Sequence, residues 1–584
     1  MKRRVLILRS LAVGLALQLA SLSGLPVPAG QRAAHLGAQE LPGQVARSGG
    51  GMVVSERLLA SQAGRDVLEA GGNAVDAAIA TGFALAVTSP ANGNIGGGGF
   101  MVIRFPDGSV TALDFREKAP LAAHSEMFVG PDGEYSREMH HDSHLAVGVP
   151  GTVAGFDKAH KLYGTMNWSR LVYPAVALAE DGFPLSEGMA GSLAGFVQRN
   201  RYAATISAFS KDGIPYEPGE IFRQPDLGAT LQRIMLDGRD GFYRGETARM
   251  LVEEMRRSGG MIGLDDLERY RARERAPVRG TYRGYDVISM PPPSSGGTAL
   301  VQMLNVLEGF DLAAMGAGSA DYVHHVTEAM RRAFRDRAAF LADPDFVDVP
   351  VHALTSKEHA ADLRASIESA RATASDPEDV AAATALLHES DETTHYSVVD
   401  ADGMAVSVTY TLEAGYGSGI TVPGGGFLLN NEMGDFNARP GLTNEDGLIG
   451  TMPNLARPEQ RMLSSMTPTI LAKDGELVAV IGSPGGRTII NTVLHLVLNI
   501  VDHRMNLEDA VAGPRFHHQW LPDRISIEED GVTPEVRAAL EALGHTVRVG
   551  GSQGLAHSIM VDPATGELVG VPDPRNPDAG AAGG

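Results

Sequence analysis

Two adjacent threonines, Thr393 and Thr394, open the run T-T-H-Y-S-V-V-D (Thr393 to Asp400), and Thr411 nearly closes the next run, M-A-V-S-V-T-Y-T-L (Met404 to Leu412). A threonine hydroxyl is a weak nucleophile and attacks a carbonyl only when a nearby base takes its proton. The turn Asp400-Ala401-Asp402-Gly403 joins the two runs into a β-hairpin. Pairing Val399 with Met404 sets Thr393 opposite Tyr410 and next to Thr411, so two hydroxyls meet at the mouth of a sheet. The same letters also suit a plain threonine-rich hairpin, because threonine is a good strand former.

Other clusters are weaker. His140, His141 and His144 (H-H-D-S-H) have metal-like spacing but fall in a loop, and His517-His518 is a bare pair. His324, His325 and Glu328 sit on an arginine-rich helix without the H-E-x-x-H order of a zinc protease. The glycine run Gly96 to Gly99 lacks the G-K-[ST] that a phosphate cradle needs, and it leads straight into a strand. No metal or organic cofactor is expected. The chain has no cysteine, which excludes a thiolate nucleophile, disulfides and Cys-ligated metal.

Local patterns place the elements that must position these groups. Ser55 reads as the N-cap of a helix carrying Leu58, Leu59, Val67 and Leu68 and stopped by Gly71-Gly72. A second, apolar helix runs from Ala74 to about Val87. Alternation in F-M-V-I-R-F, a turn at Pro106-Asp107-Gly108 and V-T-A-L-D-F form a hairpin that delivers Arg116 just past its second strand. The middle of the chain, Val153 to Ala383, reads as mostly helical, broken by a Pro/Gly/Ser loop at Pro291 to Gly297 and ending in an Ala/Asp-rich linker, Thr373 to Thr384. From Thr393 onward strands dominate (H-Y-S-V-V, M-A-V-S-V-T-Y-T-L, G-F-L-L-N, I-L-A, L-V-A-V-I-G, S-I-M-V), with one helix from Thr488 to Val501. Helical layers flanking antiparallel strands make a layered α+β architecture.

The 584 residues carry 49 Lys+Arg against 71 Asp+Glu, a formal charge of −22. A surface so acidic, with no clustered basic stripe, argues against nucleic acid as a partner. Lys2, Arg3, Arg4 and Arg9, an apolar run from Leu11 to Leu25, and Val27-Pro28-Ala29 follow the order of a secretory signal peptide over residues 1–29, cleaved between Ala29 and Ala38. The protein is therefore expected to be periplasmic or secreted, without a membrane span in its mature form.

Six further motifs decide the reading: R-E-K-A-P (Arg116 to Pro120), G-V-P-G (Gly148 to Gly151), L-L-N-N-E-M-G-D-F (Leu428 to Phe436), S-S-M-T-P-T (Ser464 to Thr469), G-S-P-G-G (Gly482 to Gly486) and G-P-R-F-H-H-Q-W (Gly513 to Trp520). In this order, with T-T-H-Y-S, they resemble the γ-glutamyltransferase family from about Gly51 to Pro574. The resemblance implies an N-terminal-nucleophile hydrolase, an αββα four-layer sandwich with two stacked antiparallel sheets. It implies a precursor cut between Glu392 and Thr393 into a large subunit (30–392) and a small catalytic one (393–584), the two forming one intertwined unit. Thr393 is then nucleophile and, through its freed α-amine, base; Thr411 supports it. Gly485 and Gly486 form the oxyanion hole. Arg116, Ser464 and Ser465 hold the α-carboxylate of a γ-glutamyl substrate such as glutathione, and Glu413, Glu432 and Asp435 hold its α-ammonium. The γ-glutamyl group passes to water or to an amino-acid or peptide acceptor.

Two positions depart from the family pattern. Glu413 stands where many members have Asn, which reads as an added ammonium contact. Asp446 stands where some members place a capping Tyr, which bears on how well the lid excludes water. A glutaryl acylase of the same superfamily is the alternative enzyme, but it would not need the three acids. An idle, processed γ-glutamyl-peptide binder is the alternative of another class.

Overall fold

The computed structural model describes residues 41–377, 393–441 and 451–584. The leader, Glu392, Asp446 and the end of the Thr373–Thr384 stretch lie outside these residues.

Period-two alternation along the strands sorts side chains into separate cores. Met52, Val54, Phe100, Val102, Val399 and Ala405 point one way and meet Ile288, Ile470, Val480 and Ile559 of a second sheet. Their neighbours Val53, Met101, Ile103, Val398, Val406 and Val408 point the other way, onto the helices Leu58–Glu69, Ala74–Thr88 and Thr152–Tyr163. On the far side, Val287, Leu471, Ile481 and Val569 pack against the helices Gly296–Leu307, Ala320–Phe340 and Thr488–Val501. Helix, sheet, sheet, helix is the expected αββα sandwich of an α+β protein. No helix among the described residues is long and apolar enough to cross a membrane.

Both sheets are seven-stranded and antiparallel. The first runs Gly580–Gly583, Met52–Ser55, Thr394–Val399, Ala405–Thr411, Gly98–Arg104, Val110–Asp114, Arg273–Arg275. The second runs Ala46–Ser48, Leu568–Val571, Ser558–Val561, Glu476–Ile481, Thr469–Lys473, Tyr285–Ser289, Val278–Tyr282. Each sheet mixes strands from before and after Thr393, so neither part of the chain has a complete sheet of its own.

Four local expectations need correction. The hairpin register is one residue off: Val399 pairs with Ala405 and Thr394 with Tyr410. The Asp400 carboxylate accepts the N–H of Asp402 (3.1 Å) and of Met404 (2.9 Å), and the Asp400 N–H donates to the Met404 carbonyl (3.0 Å), so Asp400 pairs with Met404 around a three-residue loop, one residue longer than expected, with Gly403 at φ +85°. Ser55 does not cap a helix. It ends a strand paired with Gly580, and Arg57 is the N-cap residue. The mostly helical middle also contributes the strands Val278–Tyr282 and Tyr285–Ser289 at the edge of a sheet. G-F-L-L-N forms no regular strand but a single bridge, Thr421 to Leu428, because Gly424 and Gly426, both with φ +71°, bend the chain.

Candidate active site

Continuing the observed ladder one step beyond Thr394–Tyr410 puts Thr393 directly across from Thr411. Both are buried, at 4% exposure each, yet both line one cavity. The Thr411 hydroxyl oxygen accepts the Glu413 N–H at 2.9 Å. That bond helps hold Glu413 at φ +81°, a left-handed conformation a non-glycine residue rarely takes and one that costs about 1–3 kcal/mol. Asn431 donates its side-chain amide to the Glu413 carboxylate, and the His141 ring lies 4.0 Å away.

Arg116 leaves the strand Val110–Asp114 with its N–H on the Asp114 carboxylate (3.0 Å) and its carbonyl accepting from the Tyr270 hydroxyl (2.8 Å). Its guanidinium meets Glu432 at 2.5 Å, Asp435, and the Leu463 carbonyl at 3.1 Å. A single 3₁₀ turn, Glu432–Asp435, supplies both acids. Burial works against the Arg116 charge, but Glu432, Asp435 and Glu117 outweigh it and hold the pKa above the ordinary arginine value. Ser464 and Ser465 follow on the next loop. The Met466 N–H donates to the Ser464 hydroxyl oxygen (3.1 Å), and the Ser464 carbonyl accepts from the Ser295 N–H (2.7 Å).

Gly485 and Gly486 sit where the strand Glu476–Ile481 turns into the helix Thr488–Val501. Their φ values, +128° and +53°, favour glycine, and a Cβ on Gly485 would come within 2.5 Å of the Thr488 hydroxyl. The Gly485 carbonyl accepts the Thr488 N–H (3.0 Å) and hydroxyl (2.7 Å), fixing the turn at the positive end of the helix dipole. The cavity is lined by Thr393, Thr411, Arg116, Glu413, Glu432, Asp435, Ser464, Ser465 and Gly486, with Met466 and Ile489. Gly485 is the neighbour of Gly486 rather than a lining residue. The predicted residues thus converge on one place, apart from Glu392, which is not described.

Sequence reasoning missed three contributors. Glu117 is fully buried beside Arg116, its carboxylate 3.7 Å from the guanidinium, and burial pushes its pKa up to about 8 against the pull of Arg116. Asn431 and His141 back Glu413. Glu117 and Asn431 lie inside the quoted motifs R-E-K-A-P and L-L-N-N-E-M-G-D-F, and His141 belongs to the H-H-D-S-H run with its metal-like spacing. Its neighbours go elsewhere: His140 bonds Tyr135 (3.0 Å) and His144 bonds Glu254 (2.9 Å). His517 is held by Asn491 (2.7 Å) and Gln519 (2.8 Å), and His518 by Asp523 (3.1 Å).

Among the described residues, His324, Glu328 and His545 are the group close enough to share an ion, their ligand atoms within 4.8 Å of one another. Glu328 already accepts from Arg331 (3.2 Å), Arg332 (2.6 Å) and Thr373 (2.5 Å), and His324 bonds His545 directly at 2.8 Å. The two guanidiniums occupy the electrostatic role a cation would fill.

The family model described as gamma-glutamyltranspeptidase matches residues 60–583. The glutathione hydrolase proenzyme of Escherichia coli (strain K12) is 47% identical over 535 residues, covering 91% of this chain and 92% of that protein. Among solved structures, cephalosporin acylase from Bacillus halodurans has a TM-score of 0.81 at 27% identity, covering 93% of this chain and 97% of its own. The gamma-glutamyltranspeptidase of Helicobacter pylori has a TM-score of 0.53 at 47% identity, covering 54% of this chain and 91% of that chain. The threonine hairpin, the charged cavity and these likenesses agree: the chain belongs to the gamma-glutamyltranspeptidase family.

Proposed function

We propose that the protein is a self-processing γ-glutamyl hydrolase and transpeptidase, cleaving the γ-glutamyl amide of glutathione and related compounds. The observation that carries this is the pairing of opposite charges in one cavity beside Thr393: Arg116 with Ser464 and Ser465 against Glu413, Glu432 and Asp435. An α-amino acid head group matches that set.

Processing comes first. The Thr393 Oγ adds to the Glu392 carbonyl carbon, the C–N bond breaks, and the nitrogen keeps the proton given up by the hydroxyl. Water then opens the resulting ester, freeing Glu392 as a carboxylate and Thr393 with an α-amine. That amine has a pKa near ~8 and is neutral often enough at physiological pH to act as base.

In turnover the amine takes the Thr393 proton as Oγ attacks the γ-carbonyl. The oxyanion is met by the N–H groups of Gly485 and Gly486, and the departing amine receives the proton. Water or an acceptor amine then resolves the γ-glutamyl ester. Substrate binding exchanges ion pairs: its carboxylate takes the Arg116 guanidinium while its ammonium takes the acids that Arg116 releases. No buried charge is left uncompensated, which matters because an unpaired buried ion costs several kcal/mol. The basic, apolar N-terminal segment supports export to the periplasm or medium as part of the same reading.

The likeness to a cephalosporin acylase favours a second reading, cleavage of glutaryl amides, whose acyl group lacks the α-amine. Chromophore release from a γ-glutamyl anilide and from its glutaryl analogue separates the two. Strong γ-glutamyl preference is expected, with Thr393→Ala abolishing both turnover and cleavage of the precursor. Equal or better glutaryl turnover moves the protein to the acylase reading. Full activity from an uncut chain removes the Thr393 mechanism.

A further inference from the structure

We infer that Arg337, a residue outside every motif in the chain, is a positioning residue for the donor's α-carboxylate and acts through Ser465. The inference rests on the γ-glutamyl reading above.

Arg337 lies in the last turn of the helix Ala320–Phe340 and is 5% exposed. Its guanidinium donates to two serines: Nε to the Ser295 hydroxyl (2.8 Å) and a terminal nitrogen to the Ser465 hydroxyl (2.9 Å). The Ser295 hydroxyl donates in turn to the Ser464 carbonyl (2.6 Å). One cation therefore grips both ends of the Ser464-Ser465 pair.

Its consequence lies in the direction of the hydroxyl hydrogens. A serine hydroxyl has one hydrogen to give and two lone pairs to receive. The Ser465 oxygen receives from Arg337, and the Ser464 oxygen receives from the Met466 N–H at 3.1 Å. Neither hydroxyl spends its hydrogen on the donor it accepts from, and both serines line the cavity that holds Arg116. In the inferred role both donate to the carboxylate of the bound donor. The Arg337 contact carries a full charge, so it also polarises the Ser465 O–H, and charge-assisted bonds are about twice as strong as neutral ones.

The carboxylate end of the cavity thus has two cations, Arg116 in direct reach and Arg337 one hydroxyl away. The bond also crosses the proposed processing point: Arg337 precedes Glu392 and Ser465 follows Thr393. Donor recognition in the mature enzyme then depends on the two subunits staying in register.

The test is competitive inhibition by L-glutamate and by 4-aminobutanoate, which lacks only the α-carboxylate, in wild type, Arg337→Gln, Ser465→Ala and the double variant. Arg337→Gln is expected to raise the L-glutamate inhibition constant about tenfold, the low end for a hydrogen bond to a charged group. The 4-aminobutanoate constant stays within about twofold, and kcat at saturating donor changes little. In the Ser465→Ala background, Arg337→Gln adds no further loss, and Arg337→Lys recovers part of the affinity. Equal weakening of both inhibitors, or full additivity with Ser465→Ala, overturns the inference. If Arg337→Gln fails to fold or process, Arg337→Lys in the same cycle decides the matter through its smaller loss. Arg116→Lys is the control on the underlying reading: if it too fails to separate the two inhibitors, the γ-glutamyl assignment fails, not the role of Arg337.

Discussion

Replacing Glu117 with glutamine isolates an unusual charge in the cavity wall. The side chain is 0% exposed, 3.7 Å from Arg116, and burial lifts its pKa from 4.5 to about 8. Between those values the unfolded chain carries an ionised Glu117 and the folded chain a neutral one. Wild-type stability therefore falls as pH rises from about 4.5 to about 8, whereas glutamine, a stand-in for the neutral acid, removes that slope. A gap of roughly 3.5 units at ~1.36 kcal/mol per unit sets a ceiling near 5 kcal/mol. Relaxation around the ionised group recovers part of it, leaving about 2–3 kcal/mol. For a chain of 584 residues, with ~2.1 cal/mol/K of unfolding entropy per residue, that is about 2 °C in Tm.

Calorimetry at pH 5, 6.5 and 8, with both proteins in the uncut Thr393→Ala background, reads this directly. The Tm advantage of Glu117→Gln should grow by about 2 °C from pH 5 to pH 8. In the processing-competent enzyme, ionised Glu117 competes with the donor carboxylate for Arg116, so wild-type KM should climb above pH ~8 relative to the variant. A difference in Tm that is constant across the three pH values refutes the reasoning, because a merely steric effect of glutamine has no such slope.

Gly485→Ala should lower kcat about 10²–10³-fold and slow precursor cleavage, since a Cβ 2.5 Å from the Thr488 hydroxyl at φ +128° displaces the oxyanion donors; near-normal kcat would remove them from that role. Arg116→Lys should raise donor KM about 10- to 100-fold, the loss expected for a hydrogen bond to a charged group, with steady-state kinetics as the readout. Acid should unfold the protein steeply. Burial pushes His495, His518, His545 and His557 down to about 4 and His517 to about 3, so the unfolded chain takes up protons below its pKa of ~6.5 that the fold refuses. Stability is thus present above pH ~6.5 and lost as pH falls toward 4, with a slope approaching five protons. An acid titration of circular dichroism with a slope below about two protons would contradict this.

Much of the site is legible in the letters because its chemistry is carried by residues in short motifs that bind backbone to function locally. Arg116 follows a hairpin whose alternation is plain, and the apolar run Thr488–Val501 coincides with the observed helix at both ends. The hairpin register is not legible, since both strands are buried along their whole length and neither shows an exposed polar face whose alternation would fix the pairing. Asp400 decides it by accepting two backbone N–H groups of its own turn, and the loop gains a residue. The short strands Val278–Tyr282 and Tyr285–Ser289 disappear into a helical stretch because strands of five residues carry little periodicity.

Glu117, His141 and Arg337 escape for a different reason. Each is charged or polar in a local sequence that reads as surface, and each is buried only because segments remote in the chain close over it. Arg337 reaches Ser465, and His141 reaches Glu413, through contacts no periodicity encodes. Burial is what turns these residues into determinants of the site: in water a guanidinium near a serine orients nothing, whereas in a dry wall it fixes which way a hydroxyl points. Most residues that line the cavity are written in motifs, whereas the burial that sets their charge and direction is written in the packing. Tuning of donor affinity within this family should therefore concentrate at buried positions behind the cavity lining, such as 117 and 337, with the lining residues unchanged.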